Sequence, residues 1–202
     1  MIVNLLAEGY MEEVVASKLV PFCNHELGIV YGKRGCKYIR EKATKFRHLA
    51  TKLSGLLILT DFRDTKEDCV PSALQMYILN ELPNPPSNFL CRFAVNELES
   101  WLMADREGLA TYMGIDISLI PFETEEVDYP KRTIVNLAQK SRKKVIRNGI
   151  APPPEHRAEV GPEYMLLLRD FIINYWNIEA AMLNSPSLRR CIQRLRELGQ
   201  GL

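Results

Sequence analysis

Apolar positions fall in short unbroken runs separated by longer amphipathic stretches. Residues 1–7 (MIVNLLA) form such a run, closed by Glu8-Gly9, and predict a buried strand. Residues 12–19 read as a helix with acids at its start, the end where the helix dipole favours negative charge, and Pro21 bends or ends it. Residues 27–31 predict a second strand, stopped by Gly32 and Gly35. A helix over 38–53 would put Ile39, Ala43, Phe46, Leu49, Ala50 and Leu53 on one face. The clearest buried strand is 55–60 (GLLILT), which runs into Asp61-Phe62-Arg63-Asp64. Pro71 opens a helix over 72–81, the prolines of 82–88 mark a loop, and 89–95 form a fourth strand.

Beyond this point helical pattern dominates. Residues 98–113 are helical with an interruption near Asp105, 115–130 are acidic and irregular, and 133–147 form a basic helix. Residues 151–155 make a rigid Pro-rich turn, and helices over 164–175 and 187–198 close the chain. Strands alternating with helices require crossovers, so the expected fold is α/β: a mainly parallel sheet flanked by helices, with a helical C-terminal extension. The expected organisation is a core over 1–113, with an irregular segment and helical extension over 114–202 packed on it. In such sheets function gathers at the carboxyl ends of the strands, so the residues just past each strand are the informative ones.

Three strand ends deliver carboxylates: Glu8, Glu12 and Glu13 after the first, Asp61 and Asp64 after the third, Glu97 and Glu99 after the fourth. Neighbouring strands would bring these acids to one edge, where they repel one another unless a cation intervenes. Carboxylates without a His or Cys cluster favour a hard cation, Mg²⁺ or Mn²⁺. Such an ion keeps positions open for water and phosphate oxygens, which suits phosphodiester cleavage. Gly9 fits a strand-to-helix turn that needs backbone freedom. Each acid also has a plain structural role to offer: Glu12 and Glu13 as helix-dipole partners, Asp61 as a turn residue, Glu97 and Glu99 as helix-start charges. Glu97 and Glu99 would share a face on a strand and not on a helix, which leaves the choice between them open.

Composition narrows the class. With 47% hydrophobic and 25% charged residues the chain has the make-up of a folded domain. Five cysteines, an odd number with no C-x-x-C pair, indicate a reduced intracellular protein without a structural zinc site. His25, His48 and His156 lie far apart and read as bystanders, with His156 beside the Pro-rich turn the one of most interest. The first residues lack the basic start of a signal peptide, and no run reaches the roughly 18 apolar residues of a membrane span. A cytoplasmic protein is expected. No G-x-S-x-G elbow and no G-x-x-x-x-G-K-[ST] loop is present.

The net charge of +1 conceals blocks of opposite sign. Residues 33–52 hold eight Lys or Arg and one Glu, 131–147 hold seven and no acid, and 97–128 hold nine acids and one Arg. Lys33, Arg34 and Lys37 after the second strand, and Arg142, Lys143 and Lys144, are therefore candidate phosphate contacts. Solvated helix faces, or internal neutralisation of the acidic segment, would use the same residues.

Glu8-Gly-x-x-Glu12 after a first strand, followed by an Asp pair after a later apolar strand, resembles the TOPRIM domain of topoisomerases, primases and the overcoming-lysogenization-defect endonucleases. The stretch from Asn96 to Asp105 (NELESWLMAD) and the segment from Ser185 to Arg190 are similar to a family of small stand-alone bacterial TOPRIM-like proteins. The resemblance spans nearly the whole chain. It implies that Glu8 is a general base or metal ligand, that Glu12 is the second acid of the endonucleases, that Asp61 is the first aspartate of an Asp-x-Asp motif, and that Glu97 or Glu99 is a further downstream acid. It implies a Mg²⁺-dependent nuclease acting on DNA or RNA. It also implies a link to an AAA-type ATPase in a two-component, phage-defence assembly, in which this chain could be a non-catalytic subunit; self-association stays open. One departure stands out. Arg63 occupies the second motif position and the next acid is Asp64, so D-x-D has become D-x-x-D.

Overall fold

A computed structural model describes residues 1–153 and 157–199, so His156 and the end of the Pro-rich turn lie outside the described residues. The chain divides into two compact units: Met1–Val95 joined by the segment from Arg189 onward, and Asn96–Leu188. The division thus falls at the end of the fourth strand, where 113/114 was expected.

The first unit is a four-stranded, all-parallel sheet flanked by helices. Its elements are β1 (Ile2–Ala7), α1 (Tyr10–Phe22), β2 (Glu26–Gly32), α2 (Cys36–Lys42), β3 (Ser54–Asp61), α3 (Val70–Leu74) and β4 (Phe89–Ala94). The strand order is β2-β1-β3-β4. β1 and β3 are central and buried on both faces, which is why they read as unbroken apolar runs. One face packs Leu6, Leu56, Ile58, Phe89, Cys91 and Phe93 against Ile39, Ala43, Ala73, Tyr77 and Ile78 from the helical side. Val3, Leu5, Leu57 and Leu59 fill the opposite face. Right-handed crossovers demand this split, because the step from β1 to β2 and the step from β2 to β3 run in opposite directions.

That reversal leaves a crevice at the carboxyl ends of β1 and β3, the place where open parallel sheets bind ligands. Glu8 and Asp61 are the residues delivered there.

Local departures from the predicted pattern have identifiable causes. The basic helix after β2 becomes a 3₁₀ turn over Ala43–Leu49 and ends there. Thr51 and Ser54 close the next turn through backbone and hydroxyl hydrogen bonds, which leaves Leu53 84% exposed rather than on an apolar face. Pro21 sits in the last turn of α1, which stops one residue later.

The second unit begins with α4 (Leu98–Ala104) and α5 (Arg106–Met113), split as expected at Asp105. The Asp105 carboxylate accepts the N–H of Gly108 at 3.1 Å and that of Asn177 at 2.7 Å. There follow α6 (Pro130–Gln139), α7 (Lys144–Ile150), α8 (Tyr164–Asp170), α9 (Ile178–Asn184) and α10 (Pro186–Arg196), the last running into the first unit. The predicted helix over 133–147 is broken between α6 and α7. There Ser141 donates to the Met113 carbonyl and accepts the N–H of Lys143, a local alternative to helical bonding. No helix among the described residues is long and apolar enough to cross a membrane.

Candidate metal centre

Glu8 follows the last residue of β1 and is tied down on two sides. Its N–H donates to Leu59 O at 3.3 Å, and its carboxylate accepts the Thr60 hydroxyl and, at 3.2 Å, the N–H of Asp61. Its carbonyl accepts the N–H of Gly35 at 3.0 Å, while Lys33 N–H donates to Ala7 O at 2.8 Å. The loop after β2 is thereby laced to the end of β1. Gly32 makes the close approach feasible: its φ is +90° and a Cβ there would lie 2.4 Å from the Ala7 carbonyl oxygen.

This lacing places the start of α2 over Glu8. One donor atom each from Glu8, Cys36 and Asp64 lies within 4.8 Å of the other two. The three come from the segments following β1, β2 and β3. Glu8 and Cys36 are half-buried and Asp64 is exposed, so the cluster opens to solvent. Among the described residues no Lys, Arg or His forms an ion pair with Glu8 or Asp64. Burial pushes the Glu8 carboxyl up to about 7; the hydrogen bonds from Thr60 and Asp61 oppose the rise, and the neighbouring Asp64 adds to it. Burial, then the charges of Glu8 and Asp64, push the Cys36 thiol up as well. The arrangement holds two facing carboxyls and a thiol, with the Arg40 charge close enough to pull against the rise of the thiol. This donor chemistry fits a divalent cation.

Asp64, three residues after Asp61, lies in a 3₁₀ turn over Arg63–Thr65. Such a turn repeats every three residues, so it returns Asp64 towards the strand end. Asp61 ends β3 and engages Glu8 through its N–H, but its side chain is not one of the three clustered donors.

The remaining candidates have other partners. The buried Glu12 carboxylate accepts the N–H of Gly9 at 2.8 Å and so caps the start of α1. Gly9 itself is extended, with φ −141°, a conformation open to any residue; what it provides is room, since a Cβ would stand 3.2 Å from that carboxylate. In the second unit Glu97 accepts the N–H of Lys131 at 2.9 Å, at the start of α6. Glu99 is buried, accepts the Tyr164 hydroxyl at 2.7 Å, and has its carboxyl pushed up by burial.

Four of the six basic candidates are also engaged. Lys33 pairs with Glu13 at 3.1 Å, Arg34 stacks on the Tyr38 ring at 5.3 Å, and Lys37 lies 3.9 Å from Glu41. Lys143 donates to the carbonyls of Thr111 and Tyr112 at the end of α5. Arg142 lines an open cavity of about 850 Å³ with Glu107 and Asp116, and Lys144 is exposed at the start of α7.

Reasoning from sequence misses Cys36 and Thr60. Both are legible by position: Thr60 stands one residue before the end of β3, and Cys36 comes just after the Gly-Lys-Arg-Gly turn that closes β2. Pairwise cysteine spacing, the signal used above, is silent on a single thiol that joins carboxylates. Compared with known proteins, the chain matches no family model, no curated protein and no solved structure.

Proposed function

We propose that this protein is a metal-dependent phosphodiester hydrolase, a nuclease whose divalent cation is held by Glu8 and Asp64. The observation that carries the reading is the meeting of Glu8, Cys36 and Asp64 donor atoms within 4.8 Å at the crevice between β1 and β3. When bound, Mg²⁺ or Mn²⁺ supplies neutralisation of phosphate charge and a more acidic water. The chain's own residues set the frame. Thr60 and the Asp61 N–H orient Glu8, and the 3₁₀ turn aims Asp64 at it. A bound cation would offset the burial and the Asp64 repulsion that raise the Glu8 carboxyl, and so hold Glu8 ionised as a ligand. Glu12 belongs to this reading as the residue that shapes the turn after β1, not as a ligand.

A second reading is a partner-dependent or non-catalytic subunit of a two-component assembly with an AAA-type ATPase. Lys33, Arg34 and Lys143 already have partners in this chain, which weakens the case for a nucleic-acid track built from them and leaves room for one supplied by a partner.

The test is cleavage of plasmid, linear duplex, single-stranded DNA and RNA with Mg²⁺, Mn²⁺, Co²⁺ or Zn²⁺, comparing wild type with Glu8→Ala and Asp64→Ala. Cleavage lost in both variants supports the nuclease and gives its substrate class. Cation binding without cleavage supports the partner-dependent subunit. Absence of both overturns the proposal.

A further inference from the structure

We propose that Cys36 is a direct metal ligand, so that the site selects a thiophilic cation of the Zn²⁺ or Co²⁺ class over Mg²⁺. The inference rests on reading Glu8 and Asp64 as a cation site and adds the third donor. Mg²⁺ takes oxygen ligands and binds thiols poorly, whereas Zn²⁺ accepts carboxylate oxygen and cysteine sulfur together. Catalytic zinc sites offer three protein ligands and keep the fourth position open. Two carboxylates and one thiol on three separate loops make up such a set. Zn–O and Zn–S bonds of about 2.1 and 2.3 Å in a tetrahedron separate neighbouring donors by roughly 3.4–3.6 Å. Donors already within 4.8 Å need to close by little more than an ångström.

The placement of Cys36 is enforced. The Lys33–Ala7 and Gly35–Glu8 backbone hydrogen bonds and the close approach at Gly32 tie the start of α2 to the end of β1 beside Glu8. Cys23, Cys91 and Cys191 are buried in packing and Cys69 is exposed elsewhere, so Cys36 is the thiol that meets carboxylates among the described residues.

The test uses the full chain and Co²⁺ as a spectroscopic probe, with wild type, Cys36→Ser and, as a control for adventitious thiol binding, Cys69→Ser. Calorimetry with Co²⁺, Zn²⁺ and Mg²⁺ accompanies the spectra, and circular dichroism checks folding. Wild type and Cys69→Ser are expected to show a sulfur-to-cobalt charge-transfer band saturating at one equivalent. Cys36→Ser loses the band and binds Zn²⁺ about tenfold or more weakly, a loss that removal of even an outer-shell partner can cause, while Mg²⁺ affinity is unchanged. Co²⁺ binding without the band, or a band that survives in Cys36→Ser, overturns the role of Cys36 and leaves the carboxylate site standing. Failure of folded wild type to bind any of the three cations overturns both.

Discussion

The carboxylate of Glu8 accepts the N–H of Asp61 at 3.2 Å, which fastens the residue after β1 to the last residue of β3. The same carboxylate takes the hydroxyl of Thr60, a fully buried residue. Thr60→Val removes that donor while keeping the branched shape of the strand residue. It should cost about 1.5–3 kcal/mol at pH 8, where Glu8 is ionised, the ordinary worth of a hydrogen bond to a charged group. It should also move the Glu8 titration above about 7, since the Thr60 hydroxyl holds it down. Urea unfolding and carbon-13 carboxyl titration read the two effects.

The raised carboxyl of Glu8 sets a pH slope. In the folded state the group keeps its proton up to about 7, against 4.5 ordinarily, so between these values the native state holds more protons than the unfolded one. Stability from this group is fully present below about 4.5 and is lost as pH rises to 7. Glu8→Gln should match wild type near pH 4.5 and exceed it at pH 8 in cation-free buffer. Denaturant midpoints measured across that range would expose an absent or reversed difference.

A cation that binds only the folded site stabilises by mass action. At a free concentration a hundredfold above Kd the gain is about 2.7 kcal/mol. For a chain of this length that lifts the apparent Tm by about 5–10 °C. Asp64→Asn should abolish the lift while leaving cation-free stability nearly unaltered, because Asp64 is exposed. Scanning calorimetry with and without Mn²⁺ or Zn²⁺ decides this.

Glu12 separates capping from catalysis. If it serves the Gly9 N–H, Glu12→Ala costs about 1 kcal/mol and leaves cation affinity within a small factor of wild type. A wholesale loss of binding in a folded Glu12→Ala protein would return Glu12 to the ligand set.

Gly32 is where backbone geometry supports the site. Gly32→Ala would set a methyl against the Ala7 carbonyl at a positive φ. The left-handed penalty alone is about 1–2 kcal/mol, and the clash adds to it. The variant should lose more than about 2 kcal/mol, and its Cys36 thiol should react faster with a small alkylating agent as the loop lifts from Glu8.

The amino-acid order by itself determined the four strands, the interruption at Asp105 and the α/β class. Apolar runs and breakers act over a few residues, so local physics suffices for them. It also pointed to Glu8 and Asp64, along with Glu12, Asp61, Glu97 and Glu99, because all of them follow closely on runs that read as buried strands. Only tertiary structure decided which acids meet. The strand order put β1 and β3 side by side with β2 on the outside, and the lacing of Gly35 to Glu8 then brought in Cys36, twenty-eight positions away along the chain. It likewise turned Lys143 from a candidate phosphate contact into the partner of two helix-end carbonyls, whereas the capping of Gly9 by Glu12 is local, three residues apart. A side chain's identity states what bonds it can make. Which of them it makes depends on the neighbours that sheet order and crossover handedness supply, and those are set by pairings between distant parts of the chain.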